Sequence, residues 1–130
     1  MGAGFKDLKV YQLAYSLALR IFKESKIFPV EERDSLTDQI RRSPRSVTAN
    51  IAEGYRKRQY AKAFVQKLSD SDGEAAETIV WISYARDCGY WSQELSFELT
   101  QGYEEVGKML GGMIRHPEKF AIDLSSSSRE

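Results

Sequence analysis

The chain has 130 residues, 42% hydrophobic and 29% charged, with its 19 Lys and Arg balanced by 19 Asp and Glu. That length and composition describe one domain able to bury a core without a disulfide or metal staple, and no apolar run approaches the ~18 residues of a membrane span. The single cysteine, Cys88, excludes an internal disulfide framework, and the amino-terminal residues lack an apolar leader segment, so the expected compartment is the cytoplasm.

Between Leu8 and Ser25, the residues Val10, Leu13, Ala14, Leu17, Ala18 and Ile21 recur at spacings of three and four, which predicts a first helix with one buried face. Pro29 restricts Phe28 to extended geometry and marks a short connection. A second helix is expected to open at Asp34 or Ser35, with the capping oxygen from that residue, and to carry the seam Leu36, Ile40, Ser43, Val47 and Ile51. Pro44 inside that pattern predicts a kink, and Gly54 predicts the helix end, where a positive φ is required. The third helix runs from about Tyr60 to Asp87 through Phe64, Leu68, Ser71, Ala75, Ile82 and Ala85, with Val80, Trp81 and Tyr84 outside the stripe. Gly89 supplies a left-handed turn residue and Ser92 a cap for a fourth helix, Gln93 to Arg115, which stops at His116-Pro117. Four such patterns with short connections predict an all-α, antiparallel up-down four-helix bundle over residues 5–116, with a flexible tail over 117–130.

Charge is unevenly distributed along this neutral chain. Residues 33–67 hold nine basic side chains against Asp34, Asp38 and Glu53, whereas residues 68–130 hold five basic and twelve acidic ones. On a helical wheel the second helix divides its polar groups. Gln39, Arg42, Ser46, Asn50 and Glu53 form a ridge beside the seam, where a network from Arg42 to Asn50 or Glu53 would set the register of a neighbouring helix or subunit. Arg41 and Arg45, with Asp38 and Arg56, lie nearly opposite the seam and are expected to face away from the core. Arg41, Arg45, Arg56, Lys57, Arg58, Lys62 and Lys67 can meet successive phosphates, with Tyr55 and Tyr60 available to stack on unpaired bases. Against that reading stands the sequence pI of about 6.6, far below that of a dedicated nucleic-acid binder. The rival is a self-assembling module whose candidate anchors are Trp81, Tyr84, Tyr90 and Tyr103, in which the acidic segment pairs with the basic segment of a second subunit.

The inventory for catalysis is poor. His116 is the one histidine and lies at a helix end, Cys88 lies in a turn, and Gly102 to Gly107 lacks the Lys-Ser/Thr of a phosphate loop. Glu74 with Glu77, and Glu104 with Glu105, lack histidine partners at bundle spacing, so no enzyme activity, metal or cofactor is expected.

The run LTDQIRRSPRSVTANIAEGYRK, preceded by FKDLKVYQLAYSLALRIF and FPVEER and followed by a long helix ending ARDCGYW, resembles the four-helix bundle proteins encoded by intervening sequences in bacterial 23S ribosomal RNA genes. The likeness covers about residues 5–115, and its most specific parts are QIRR at Gln39–Arg42 and NIAEG at Asn50–Gly54. The resemblance implies a cytosolic homo-oligomer, a pentameric ring in known cases, whose basic surface contacts nucleic acid. RNA is favoured over DNA by the genetic context, and no catalytic activity is implied. Related bundles serve as accessory subunits of retroelement reverse transcriptases.

Overall fold

The structure, a computed structural model, describes residues 4–121. Four helices, α1 (Lys9–Glu24), α2 (Leu36–Arg56), α3 (Ala61–Asp87) and α4 (Gln93–Arg115), form an antiparallel bundle; each packs on the next in the chain, and α1 closes against α4. Among the described residues there is no strand, and no helix is long and apolar enough to cross a membrane.

The expected seams supply the core. Val10, Ala14 and Ile21 of α1 meet Ile40, Val47 and Ile51 of α2, Phe64, Leu68, Ala75 and Ile82 of α3, and Leu99, Val106 and Leu110 of α4. Polar groups within this core are paired where α2 meets α3. Ser43 and Thr78 share a hydroxyl–hydroxyl bond of 2.7 Å, and the Ser71 hydroxyl donates to the Val47 carbonyl at 2.8 Å. Each spares a buried polar group the cost of lying unpaired.

Gly54 corrects a sequence expectation. It does not end α2 on a positive φ but lies inside the helix and is buried, with the helix continuing to Arg56. A Cβ there would come within 3.0 Å of the Lys67 Cβ and 3.5 Å of the Phe64 carbonyl oxygen, so glycine is favoured by the close approach of α3. Among the described residues Gly89, with φ +83°, is the one in the left-handed region, and the Ser92 hydroxyl accepts the Leu95 N–H at 3.0 Å, both as expected. α2 runs unbroken through the buried Pro44, and α4 through its four glycines. Pro117–Phe120 form a short 3-10 turn, with the Phe120 ring 5.9 Å from that of Phe64; the rest of the expected tail, residues 122–130, lies outside the described residues.

The amino-terminal cap of α2 is a second correction. Ser35 occupies the capping position, but its side chain makes no cap bond. The Glu32 carboxylate accepts from the Leu36 N–H at 3.2 Å, from the Ser35 hydroxyl at 2.6 Å and from the Tyr90 hydroxyl at 2.8 Å. A full negative charge at the positive end of the helix serves the free N–H better than a hydroxyl, and it ties the start of α2 to the α3–α4 turn.

These three bonds, that of Ser35 foremost, hold the Glu32 carboxyl below its ordinary range, and the bond to Glu32, with burial second, pushes the Tyr90 phenol up to about 12. The contribution of Glu32 is therefore present above 4.5, the ordinary value, and lost as pH falls through the lowered value. That of Tyr90 is present below 10.0 and lost as pH rises towards 12. Replacing Glu32 with alanine is expected to cost about 1 kcal/mol at neutral pH and to reduce the loss of stability on acidification. Urea unfolding of both proteins at neutral and acid pH checks this.

Candidate functional site

The basic segment folds into α2 and the turn after it, and α1 determines how its side chains are arranged. A helix ends with carbonyls that no residue of its own can satisfy. At the end of α1, the Arg41 Nη2 donates to the Phe22 carbonyl at 3.4 Å and its Nε to the buried Ser25 hydroxyl at 2.8 Å, while the Trp91 indole N–H donates to the Glu24 carbonyl at 2.9 Å. Arg41 thus does not project away from the bundle as the wheel suggested. It is half-buried because the negative end of α1 attracts its guanidinium.

One ring gathers three cations here. Phe22 has the Arg41 guanidinium 4.7 Å from its centroid, the Lys26 ammonium at 5.0 Å and the Arg45 guanidinium at 5.9 Å. The negative face of the ring attracts each cation and restricts it. Beside it opens a cleft of about 390 Å³ lined by Arg33, Thr37, Asp38, Arg41, Arg42 and Arg45. Asp38 is the one carboxylate of that lining and pairs with Arg42 at 3.2 Å, so cationic charge remains in excess.

A second basic cleft, of about 550 Å³, lies at the other end of α2 between Gly4, Phe5, Lys6, Tyr55, Arg56 and Arg58. Arg56 rests 5.6 Å from the Phe5 centroid; Arg58 lies 4.0 Å from that of Tyr55 and donates to the Tyr55 carbonyl at 2.9 Å. Lys57 and Lys62 are exposed nearby, and among the described residues neither they nor Arg45 and Arg56 form an ion pair. Tyr60 is exposed and has no aromatic or cationic neighbour among the described residues.

The ridge beside the seam does not form the expected network. Arg42 pairs with Asp38, the Asn50 amide donates to the Ser46 carbonyl at 2.9 Å, and Glu53 pairs with Lys67 at 3.5 Å, which alone of the three crosses to α3. Arg42 is too far along α2 to reach Asn50 or Glu53 when a carboxylate one turn away is available. Gln39 instead lines an apolar groove of about 350 Å³ with Glu32, Ser35, Leu36, Trp81, Tyr84 and Cys88. Trp81 is half-buried there and donates to Glu77 at 3.3 Å, while Tyr84 is 56% exposed. Burial and then Glu77 push the Glu74 carboxyl up, against the pull of Arg42.

Sequence reasoning missed the aromatic flank of α1. Tyr11, Tyr15 and Phe22 recur at four and seven residues, close to the α2 side of the helix, and Phe5 continues the row. The Phe5 and Tyr11 centroids are 5.2 Å apart and those of Tyr11 and Tyr15 5.8 Å apart. The signal was a second apolar period beside the seam.

Residues 6–112 match the family model described as 23S rRNA-intervening sequence protein. A solved structure of a protein of unknown function from the S23 ribosomal protein family of Bacteroides thetaiotaomicron VPI-5482 is 27% identical, with a TM-score of 0.72, covering 82% of this chain and 95% of that one. No curated protein matches the chain. With the family model spanning most of its length and the same bundle in a solved relative, the chain belongs to the 23S rRNA-intervening sequence protein family.

Proposed function

We propose that this protein is a non-catalytic, cytoplasmic nucleic-acid-binding bundle that associates through the basic flank of α2, with RNA favoured by the family's genetic context. The observation that carries the reading is the cleft of Arg33, Arg41, Arg42 and Arg45, in which Arg42 pairs with Asp38 and Arg33 with Asp34 while Arg41 and Arg45 have no carboxylate partner among the described residues. Guanidiniums restrained by an aromatic ring lose less freedom when a phosphate arrives, and their planar forks suit its oxygens. The neutral total charge is compatible with this, because a local excess on one flank attracts an anion within a Debye length whatever the opposite surface carries. Homo-oligomer formation, as a ring of copies, would multiply each weak contact.

A gel-shift series with structured RNA tests the reading. Binding that weakens steadily as salt rises is expected; no shift even at low salt contradicts it.

The second reading is a self-assembling module without a nucleic-acid partner. It is favoured by the apolar groove at Trp81 and Tyr84, with Val80 48% exposed beside it. Light scattering separates the two when combined with the gel shift: assembly without RNA binding selects the second.

A further inference from the structure

The two basic clefts lie towards opposite ends of α2, and the Phe22 and Phe5 rings rest against arginines of each. Eleven residues separate Arg45 from Arg56, which is about 16 Å along the axis and within about 20° on the wheel. The cleft arginines therefore occupy the same side of α2. Between them lie Thr48, Ala49 and Ala52, whose small side chains leave the α2 wall low. The facing wall is α1, where Tyr11, Tyr15, Ala18 and Phe22 follow at spacings of four, three and four. Phe22 under Arg41 and Arg45 fixes one end of this pairing, and Phe5 under Arg56 fixes the other. Tyr15 is 50% exposed and Phe22 36% exposed, so ring surface is open along the wall. Glu24, the one carboxylate of α1, lies on the opposite flank, where it shares Arg20 with Glu98 of α4.

We infer that this α1–α2 groove is a track for single-stranded nucleic acid. The arginine clefts hold backbone phosphates at its two ends, and unpaired bases stack on Tyr15 and its neighbours between them. The inference rests on the nucleic-acid reading above and specifies its ligand. Cationic ends separated by a span that a few extended nucleotides bridge, with aromatic faces in between, combine the two elements that sequence-tolerant single-strand binding requires. A duplex keeps its bases stacked internally and offers this wall nothing to hold. Of the two tyrosines that stand out in the basic segment of the sequence, Tyr55 lines the cleft at the Arg56 end, and Tyr60 lies beyond the end of α2.

Fluorescence anisotropy with labelled oligouridine, and with a duplex RNA of the same length, tests the track. Oligouridine is expected to bind more tightly than the duplex. Tyr15→Ala is expected to weaken oligouridine binding about tenfold with an unchanged salt slope, since the ring it removes is uncharged. Tyr15→Phe retains the ring and should bind as the native chain does. Equal affinity for the two probes, or full affinity in Tyr15→Ala, overturns the track; if Arg45→Ala still weakens binding, the basic-flank reading survives that result. Failure of both probes to bind at low salt overturns the track and the reading together.

Discussion

Replacing Trp91 with alanine is expected to destabilise the bundle by about 3–5 kcal/mol, the range for deleting a large buried aromatic side chain. Trp91 is 4% exposed, its ring is 5.2 Å from that of Phe28, and its indole N–H satisfies the Glu24 carbonyl at the end of α1. The substitution therefore leaves a cavity and a carbonyl without its donor at once. Trp91→Phe should lose less, because it retains part of the packing and forfeits only the hydrogen bond and some volume. Urea unfolding monitored by circular dichroism measures both. A loss below about 1 kcal/mol in Trp91→Ala would mean that this end of α1 is not fixed by the α3–α4 turn.

The second large effect concerns binding. Removing Arg41, Arg45 and Arg56 together is expected to reduce the slope of log affinity against log salt by about 2 for single-stranded RNA, at roughly 0.7 for each phosphate no longer neutralised. Arg41 differs from the other two, since it also holds the end of α1 through Phe22 and Ser25. A companion variant that changes only Arg45 and Arg56 removes charge without touching that cap. If the triple variant is unstable but the double variant binds with the native slope, the flank does not carry the binding.

Much of this fold was legible in the chain. The span of α4 follows from its apolar period, Ser92 and His116-Pro117, all of which act locally. The expectations that failed are those in which a distant element intervenes. Gly54 reads as a helix stop, yet it is the close approach of Lys67 from α3 that favours a missing side chain. Ser35 reads as a cap, yet Glu32 reaches the same N–H with a charge and is itself held by Tyr90 from the far turn. The wheel gave the angle of Arg41 correctly as outside the seam, but a long flexible arm reaches whatever attracts it, here the negative end of α1. The basic candidates were identifiable by charge alone. Their division into two clefts was not, because Phe5 and Phe22, which restrain the arginines, lie outside the basic segment.

The most direct test is photocrosslinking of the intact chain to RNA bearing a photoreactive uridine, followed by mapping of the linked peptides. Crosslinks are expected within residues 5–22 and 33–58, the two walls of the groove. Crosslinks confined to the acidic α3 and α4, or none above those of a control protein, would contradict it.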